Sequence, residues 1–228
     1  MIVSIHQPNF LPWLGYFYKI AQSDIFVLLD DVQYTKNSFI NRNRIKTPQG
    51  EQWLTLPVKQ SGSFGQLIIE CEIQQKELAV KKVLNSIKMN YSKSLYYHQY
   101  IEAIEKILNT NTHSLSEINI QLILWLCDVL NIHTKIIRSS TLNISGKEST
   151  ERLVEICKIL NADTYLSGKG GVKYQEEVLF DKENIQLKIS SFTPPVYHQL
   201  WGEFIGGLSI VDILLNCGSD SKKFTKNG

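Results

Sequence analysis

Near the amino terminus, His6-Gln-Pro-Asn-Phe-Leu-Pro-Trp-Leu-Gly-Tyr16 brings together side chains able to do chemistry. It follows the apolar run Ile2-Val-Ser-Ile5 and leads into a helical pattern through Trp13, Phe17 and Ile20. That arrangement predicts a loop between a buried strand and a helix start. Such a loop aims an imidazole and free backbone N–H groups at one point, where a phosphate or carboxylate fits. His6 is therefore a candidate general base, or a donor to developing charge, and capping of the strand edge is the structural reading beside it. Pro8 and Pro12 stiffen the loop, with Pro12 suited to the first helical turn, and Gly15 allows close approach there.

Three further stretches carry polar chemistry. Asp30-Asp-Val-Gln-Tyr-Thr-Lys-Asn-Ser-Phe-Ile-Asn-Arg-Asn-Arg-Ile-Lys46 sets two carboxylates ahead of a run of cations and asparagines. Arg42 and Arg44, two apart, project to one side of a strand and can fork onto phosphate or carboxylate oxygens, with Lys36 beside them. An exposed polar edge strand would show the same charge pattern. Asn37, Asn41 and Asn43 add neutral hydrogen-bonding groups, which favours a binding surface. Ser167-Gly-Lys-Gly-Gly171, followed by Tyr174, reads as an anion-binding nest or as an ordinary turn. Pro194-Pro-Val-Tyr-His-Gln199 and Trp201 to Phe204 read as a packing loop, with a substrate-side wall as the alternative.

The elements that must hold these groups alternate between strand and helix. Asp24 to Leu29 is nearly all apolar, as in a strand covered on both faces, so the first thirty residues or so form a βαβ unit. Ser38 to Ile45, Gln52 to Val58 and Leu67 to Cys71 carry β-formers, as a sheet extension or a small β-rich insert. Helical spacing then recurs three times between residues 76 and 131. Ser114 with Glu117, and Ser145 with Glu148, form capping boxes that open helices. Strands follow at Thr134 to Ile137, Thr164 to Ser167 and Ile185 to Ile189, and a last helix spans Leu208 to Leu215. The expected fold is α/β, a three-layer Rossmann-like, mostly parallel sheet with a helical insertion, in one domain over residues 1–218. Residues 219–228 are expected to be a flexible tail.

Composition narrows the function classes. Lys and Arg number 24 against 22 Asp and Glu, so the broad positive field of a duplex-binding protein is missing and nucleic acid is not an expected partner. The apolar clusters are too short to span a bilayer and no signal peptide opens the chain, so membrane insertion is not expected and a cytoplasmic location is. Four scattered cysteines form no Cys-x-x-Cys pair, which argues against a disulfide scaffold and a structural zinc site. The Gly-x-Ser-x-Gly elbow, the Gly-x-Gly-x-x-Gly turn and His-Glu-x-x-His are all absent.

His6 to Lys19, Asp30-Asp-Val-Gln-Tyr34, Phe39-Ile-Asn-Arg-Asn-Arg-Ile-Lys46, Tyr165-Leu-Ser-Gly168, Pro195-Val-Tyr197 and Leu208-Ser-Ile-Val-Asp212 together resemble the WbqC-like family over nearly the full length. The resemblance implies a place in bacterial O-antigen and other surface-polysaccharide gene clusters, and for some members a glycine transferase role. A weaker likeness runs to nucleotidyltransferases carrying Phe-x-Pro and His-x-Gly-His. Phe10, Pro12 and Gly15 match that pattern, whereas Trp13 and Tyr16 stand where its two histidines would be.

The function expected is transfer of a small acyl or aminoacyl group onto an amino sugar or nucleotide-linked amino sugar. Activation of a carboxylate with ATP, and non-catalytic binding of a nucleotide sugar or a partner protein, are the alternatives. Catalytic roles fall to His6, Lys36 and Asp30. Substrate contacts are expected from Gln7, Asn9, Pro12, Gly15, Tyr16 and Lys19, then Asp31, Gln33, Tyr34, Asn41, Arg42, Asn43 and Arg44, and finally Ser167, Gly168 and Lys169. Asp30 or Asp31 would orient the amine, and the pair could hold magnesium beside ATP or another nucleotide. No protein metal ligands are assigned, and donor, acceptor and oligomeric state are left open.

Overall fold

Short β-rich runs bounded by polar turns form the strands, because each can be covered on both faces by the amphipathic helices between them. In the computed structural model, residues 1–59, 65–144, 146–171 and 175–226 are described, without the side chains of Phe224 and Lys226. The strands are β1 (Ile2–His6), β2 (Ile25–Leu28), β3 (Arg42–Thr47), β4 (Gly50–Thr55), β5 (Lys135–Arg138), β6 (Thr164–Ser167) and β7 (Gln186–Ile189). The helices are α1 (Leu14–Ala21), α2 (Lys76–Tyr91), α3 (Tyr97–Leu108), α4 (Leu115–Val129), α5 (Ser149–Ile159), α6 (Glu177–Asp181), α7 (Ile210–Cys217) and α8 (Lys223–Lys226).

Five strands form one parallel sheet in the order β5-β2-β1-β6-β7. Counted along this sheet alone the order is three-two-one-four-five, the Rossmann arrangement, in which the strand order reverses between β1 and β6. Alternation along the strands divides the core between two layers. Phe26 and Leu28 face the larger layer with α1, α3, α4 and α7, while Val3, Ile5 and Val27 face a smaller one with α5, α6 and Tyr165. The fold is thus a three-layer Rossmann-like α/β sheet, with α2 to α4 occupying the connection from β2 to β5.

Some boundaries differ from expectation. β3 and β4 do not extend the sheet but pair as a separate antiparallel hairpin, and Leu67 to Cys71 is a 3-10 turn at Ile68–Glu70 rather than a strand. Helix α5 begins at Ser149, with Glu148 offering no side-chain cap, and Ser145 lies outside the described residues, as does Tyr174. At α4 the Ser114 hydroxyl accepts from the Glu117 N–H, whereas the Glu117 carboxylate goes to Arg138 instead of closing the capping box. The expected loose tail is instead docked as far as it is described. Residues 218–222 form a 3-10 turn, α8 packs on α1, and Ser221 and Thr225 are fully buried.

The loop between β1 and α1 is held through its carbonyl oxygens. Asn119 Nδ2 donates to Pro8 O and Ile40 O, both at 2.8 Å, and Asn43 Nδ2 donates to Phe10 O at 3.3 Å and Leu11 O at 2.7 Å. Ser209 Oγ adds a second bond to Leu11 O, and the Ile210 N–H reaches Pro12 O. These bonds hold Leu11 at a φ of 41°, a conformation that costs a non-glycine residue about 1 kcal/mol or more. Asn43→Ala should therefore destabilise the chain by about 1–3 kcal/mol, since it removes the Asn43 donors from two buried carbonyls. Urea unfolding checks this, with an unchanged slope and a lowered midpoint expected.

A candidate active site at the carboxyl ends of β1 and β6

Ligands of such sheets bind where the strand order reverses, outside the carboxyl ends of the strands. A cleft of about 430 Å³ lies there. His6, the last residue of β1, and Asn9 in the loop after it line one side. Gly168, Lys169 and Gly170 after β6 line another, and Ser190 and Phe192 follow from the end of β7. Trp13, Gly15, Tyr16 and Lys19 from the start of α1 complete the wall, with Phe39 and Arg44 entering from the hairpin side.

His6 is half-buried, and the Tyr16 ring meets it edge-on with centroids 4.9 Å apart. The Tyr16 hydroxyl is anchored in turn on Gln7 O at 3.1 Å. His6 Nδ1 is enclosed without a hydrogen-bond partner. Burial first, and the nearby Lys19 charge second, hold the imidazole well below its ordinary pKa, so it is neutral at neutral pH.

Lys19 is the other unusual group. It is 4% exposed, its ammonium donates to Ile5 O at 3.1 Å, and it has no ion-pair partner among the described residues. Burial lowers its pKa from 10.5 to about 7. The cleft therefore holds a neutral base beside an ammonium group that releases its proton easily. Arg44 and Lys169 supply the remaining charges on the lining, and no carboxylate is among the lining residues.

A Cβ on Gly15 would lie 2.5 Å from the Trp13 indole and 2.8 Å from the Phe192 ring, so the missing side chain makes room for aromatic packing on the cleft wall. Trp13 and Phe192 meet edge-on with centroids 5.4 Å apart. Gly15→Ala should push the indole into the cleft and cost about 1–3 kcal/mol. Thermal melting together with tryptophan fluorescence measures both effects.

The remaining expected residues scatter. Gln7, Asp31 and Gln33 line a second cleft of about 680 Å³ beside the start of α5, where Asp31 pairs with Arg152 at 2.5 Å. Asn41, just before β3, and Asn43 within it are buried, and their side-chain amides donate to backbone carbonyls. Pro12 and Ser167 are buried, with their own carbonyls engaged. Lys36 is exposed and Tyr34 half-buried, and neither lines either cleft. Arg42 lies outside the first cleft, its guanidinium 4.1 Å from the centre of the Trp53 ring.

Asp30, expected to be catalytic, lines neither cleft. Its side chain is fully buried, with Oδ2 accepting from Arg138 Nε at 2.7 Å and Ser140 Oγ at 3.0 Å, while Oδ1 accepts from the Ser140 N–H at 3.0 Å. It ties β2 to β5. The Asp31 oxygens likewise accept from Ser139 and Arg152.

Reading the sequence missed Phe192, Ser190 and Gly207 on the cleft wall. It also missed Asp212, a fully buried carboxylate that accepts from Tyr91, Tyr197 and Gln199, each at 2.7 Å. Gln199 in turn accepts from Lys46 Nζ at 3.1 Å, so this network clips the loop after β7 to the hairpin. The adjoining Tyr197 and Gln199 in a proline-rich loop were the available signal.

A relative in Mycobacterium tuberculosis, the uncharacterized protein Rv1507c, is 36% identical over 226 residues, covering 98% of this chain and 97% of its own. No solved structure matches the chain. Among the described residues no helix is long and apolar enough to cross a membrane. The model of the WbqC-like protein family matches residues 7–224, which takes in the whole cleft lining except His6, and the chain belongs to that family.

Proposed function

We propose that this chain is a transferase of bacterial surface-polysaccharide (O-antigen) synthesis, moving a small acyl or aminoacyl group, glycine foremost, onto an amino sugar or nucleotide-linked amino sugar. The observation that carries this reading is the His6 imidazole, its Nδ1 enclosed without a partner, on the wall of a cleft whose charged side chains are all basic among the described residues. A neutral imidazole can take the proton of an amine as its nitrogen attacks an acyl carbon. Lys19 and Lys169 are placed to stabilise negative charge developing on the carbonyl oxygen, or phosphate carried by the donor. Trp13, Tyr16 and Phe192 keep water from an activated acyl group. The family resemblance supports the pathway and the site chemistry supports the reaction class. The same reading sets the reaction in the cytoplasm, with a small molecule or nucleotide sugar as partner.

Mass spectrometry of the surface glycan, with and without the gene, tests the proposal. Loss of one acyl or aminoacyl substituent is expected. An unchanged glycan would count against it.

The strand order favours one second reading, activation of a carboxylate with ATP, because nucleotides bind at this place in such sheets. It predicts amino-acid-dependent exchange of pyrophosphate into ATP. Absence of exchange with every proteinogenic amino acid removes it.

A further inference from the structure

Trp53, 42% exposed on the outward face of the β3–β4 hairpin, meets Phe39, 47% exposed in the turn ahead of β3, with ring centroids 6.0 Å apart. Arg44 and Trp53 are directly opposite across the hairpin, and Arg42 falls on the same face two residues earlier. The Arg42 and Arg44 guanidinium carbons lie 4.1 Å and 5.8 Å from the Trp53 ring centre. Glu51 pairs with Arg44 at 2.6 Å, while Arg42 has no carboxylate partner among the described residues. The Nε atoms of both arginines are buried and without partners, which leaves the terminal guanidinium nitrogens to meet a ligand. Phe39 and Arg44 also line the β1/β6 cleft, so this platform and the cleft are continuous.

We propose that this platform is an acceptor subsite, on which a sugar ring stacks against Phe39 and Trp53 while Arg42 and Arg44 take the phosphate attached to that sugar. The proposal rests on the transferase reading of the adjoining cleft. A pyranose presents an apolar C–H face and a polar rim, which suits an exposed aromatic ring whose neighbours are hydrogen-bond donors. A guanidinium stacked on an indole keeps its edge free to fork onto phosphate oxygens. Two arginines against one glutamate leave a positive excess that matches an anionic sugar derivative and gives no advantage to a neutral one.

Calorimetry and saturation-transfer NMR with N-acetylglucosamine 1-phosphate, UDP-N-acetylglucosamine and UDP alone test this on the full chain. Both sugar probes are expected to bind, with transfer to the ring C–H protons. Trp53→Ala should weaken them about tenfold or more and abolish that transfer, whereas Trp53→Phe retains it. Arg42→Gln should weaken both sugar phosphates. Three results would overturn the subsite: no sugar probe binds, sugar probes bind Trp53→Ala and wild type alike, or UDP alone binds as tightly as UDP-N-acetylglucosamine and loses as much in Trp53→Ala. A glycan lacking its substituent, found together with any of these, leaves the transferase reading standing and removes only the platform.

Discussion

His6→Asn is expected to lower the turnover number of the transfer reaction by about 10²- to 10⁴-fold while changing KM only a few-fold, the signature of a lost general base. Asparagine keeps a polar side chain against Tyr16, so the β1-to-α1 loop, held through its carbonyls by Asn43, Asn119 and Ser209, should stay in place. Circular dichroism and the unfolding midpoint check that it does. The substitution removes the group that is neutral at neutral pH and leaves the basic lining of Lys19, Arg44 and Lys169 untouched. Substrate affinity should therefore survive while chemistry fails. A parallel loss of affinity and turnover would assign His6 to binding.

Lys19→Met is expected to make the protein more stable and inactive. Burial takes the Lys19 pKa from 10.5 to about 7, so the folded state gives up a proton that the unfolded chain keeps across that interval. Unfolded chains then bind more protons, and stability rises with pH between about 7 and 10.5. Below that interval the full cost applies, on the order of 5 kcal/mol. Methionine fills a similar volume without the charge, and loses one hydrogen bond to Ile5 O. A net gain of about 2–3 kcal/mol at neutral pH is expected, shrinking as pH rises towards 10.5. Chemical denaturation at several pH values measures it. A destabilised variant would show that Lys19 is placed for packing, since functional groups are the ones kept at a cost to stability.

Much of this arrangement was legible in the sequence because it rests on local rules. The apolar runs at Ile2 to Ile5 and Asp24 to Leu29, with a helical pattern between them, placed His6 at a strand end, and strand-end position is what puts it in the cleft. The same rule placed Gly168 and Lys169 after β6. Polar residues were harder to assign, because a side chain that binds substrate and one that satisfies a buried carbonyl look alike in sequence. Asp30, Asn41 and Asn43 meet their buried partners more than ten residues away in the chain, where no local pattern shows them. Arg42 and Arg44 were rightly set on one face of a strand, yet the turn of the hairpin brings Arg44 alone to the cleft lining. Phe192 could not be read, since its neighbour Trp13 is joined to it only by the tertiary fold.

The protonation state of His6 tests the central claim most directly, and it needs no substrate. Nitrogen-15 NMR of the imidazole, followed across pH in the wild type and in Lys19→Met, reads it residue by residue. The account predicts a ring that is neutral at neutral pH, with a midpoint well below 6.5 that moves upward when the Lys19 charge is removed. A midpoint at or above 6.5, or one indifferent to Lys19, would contradict it.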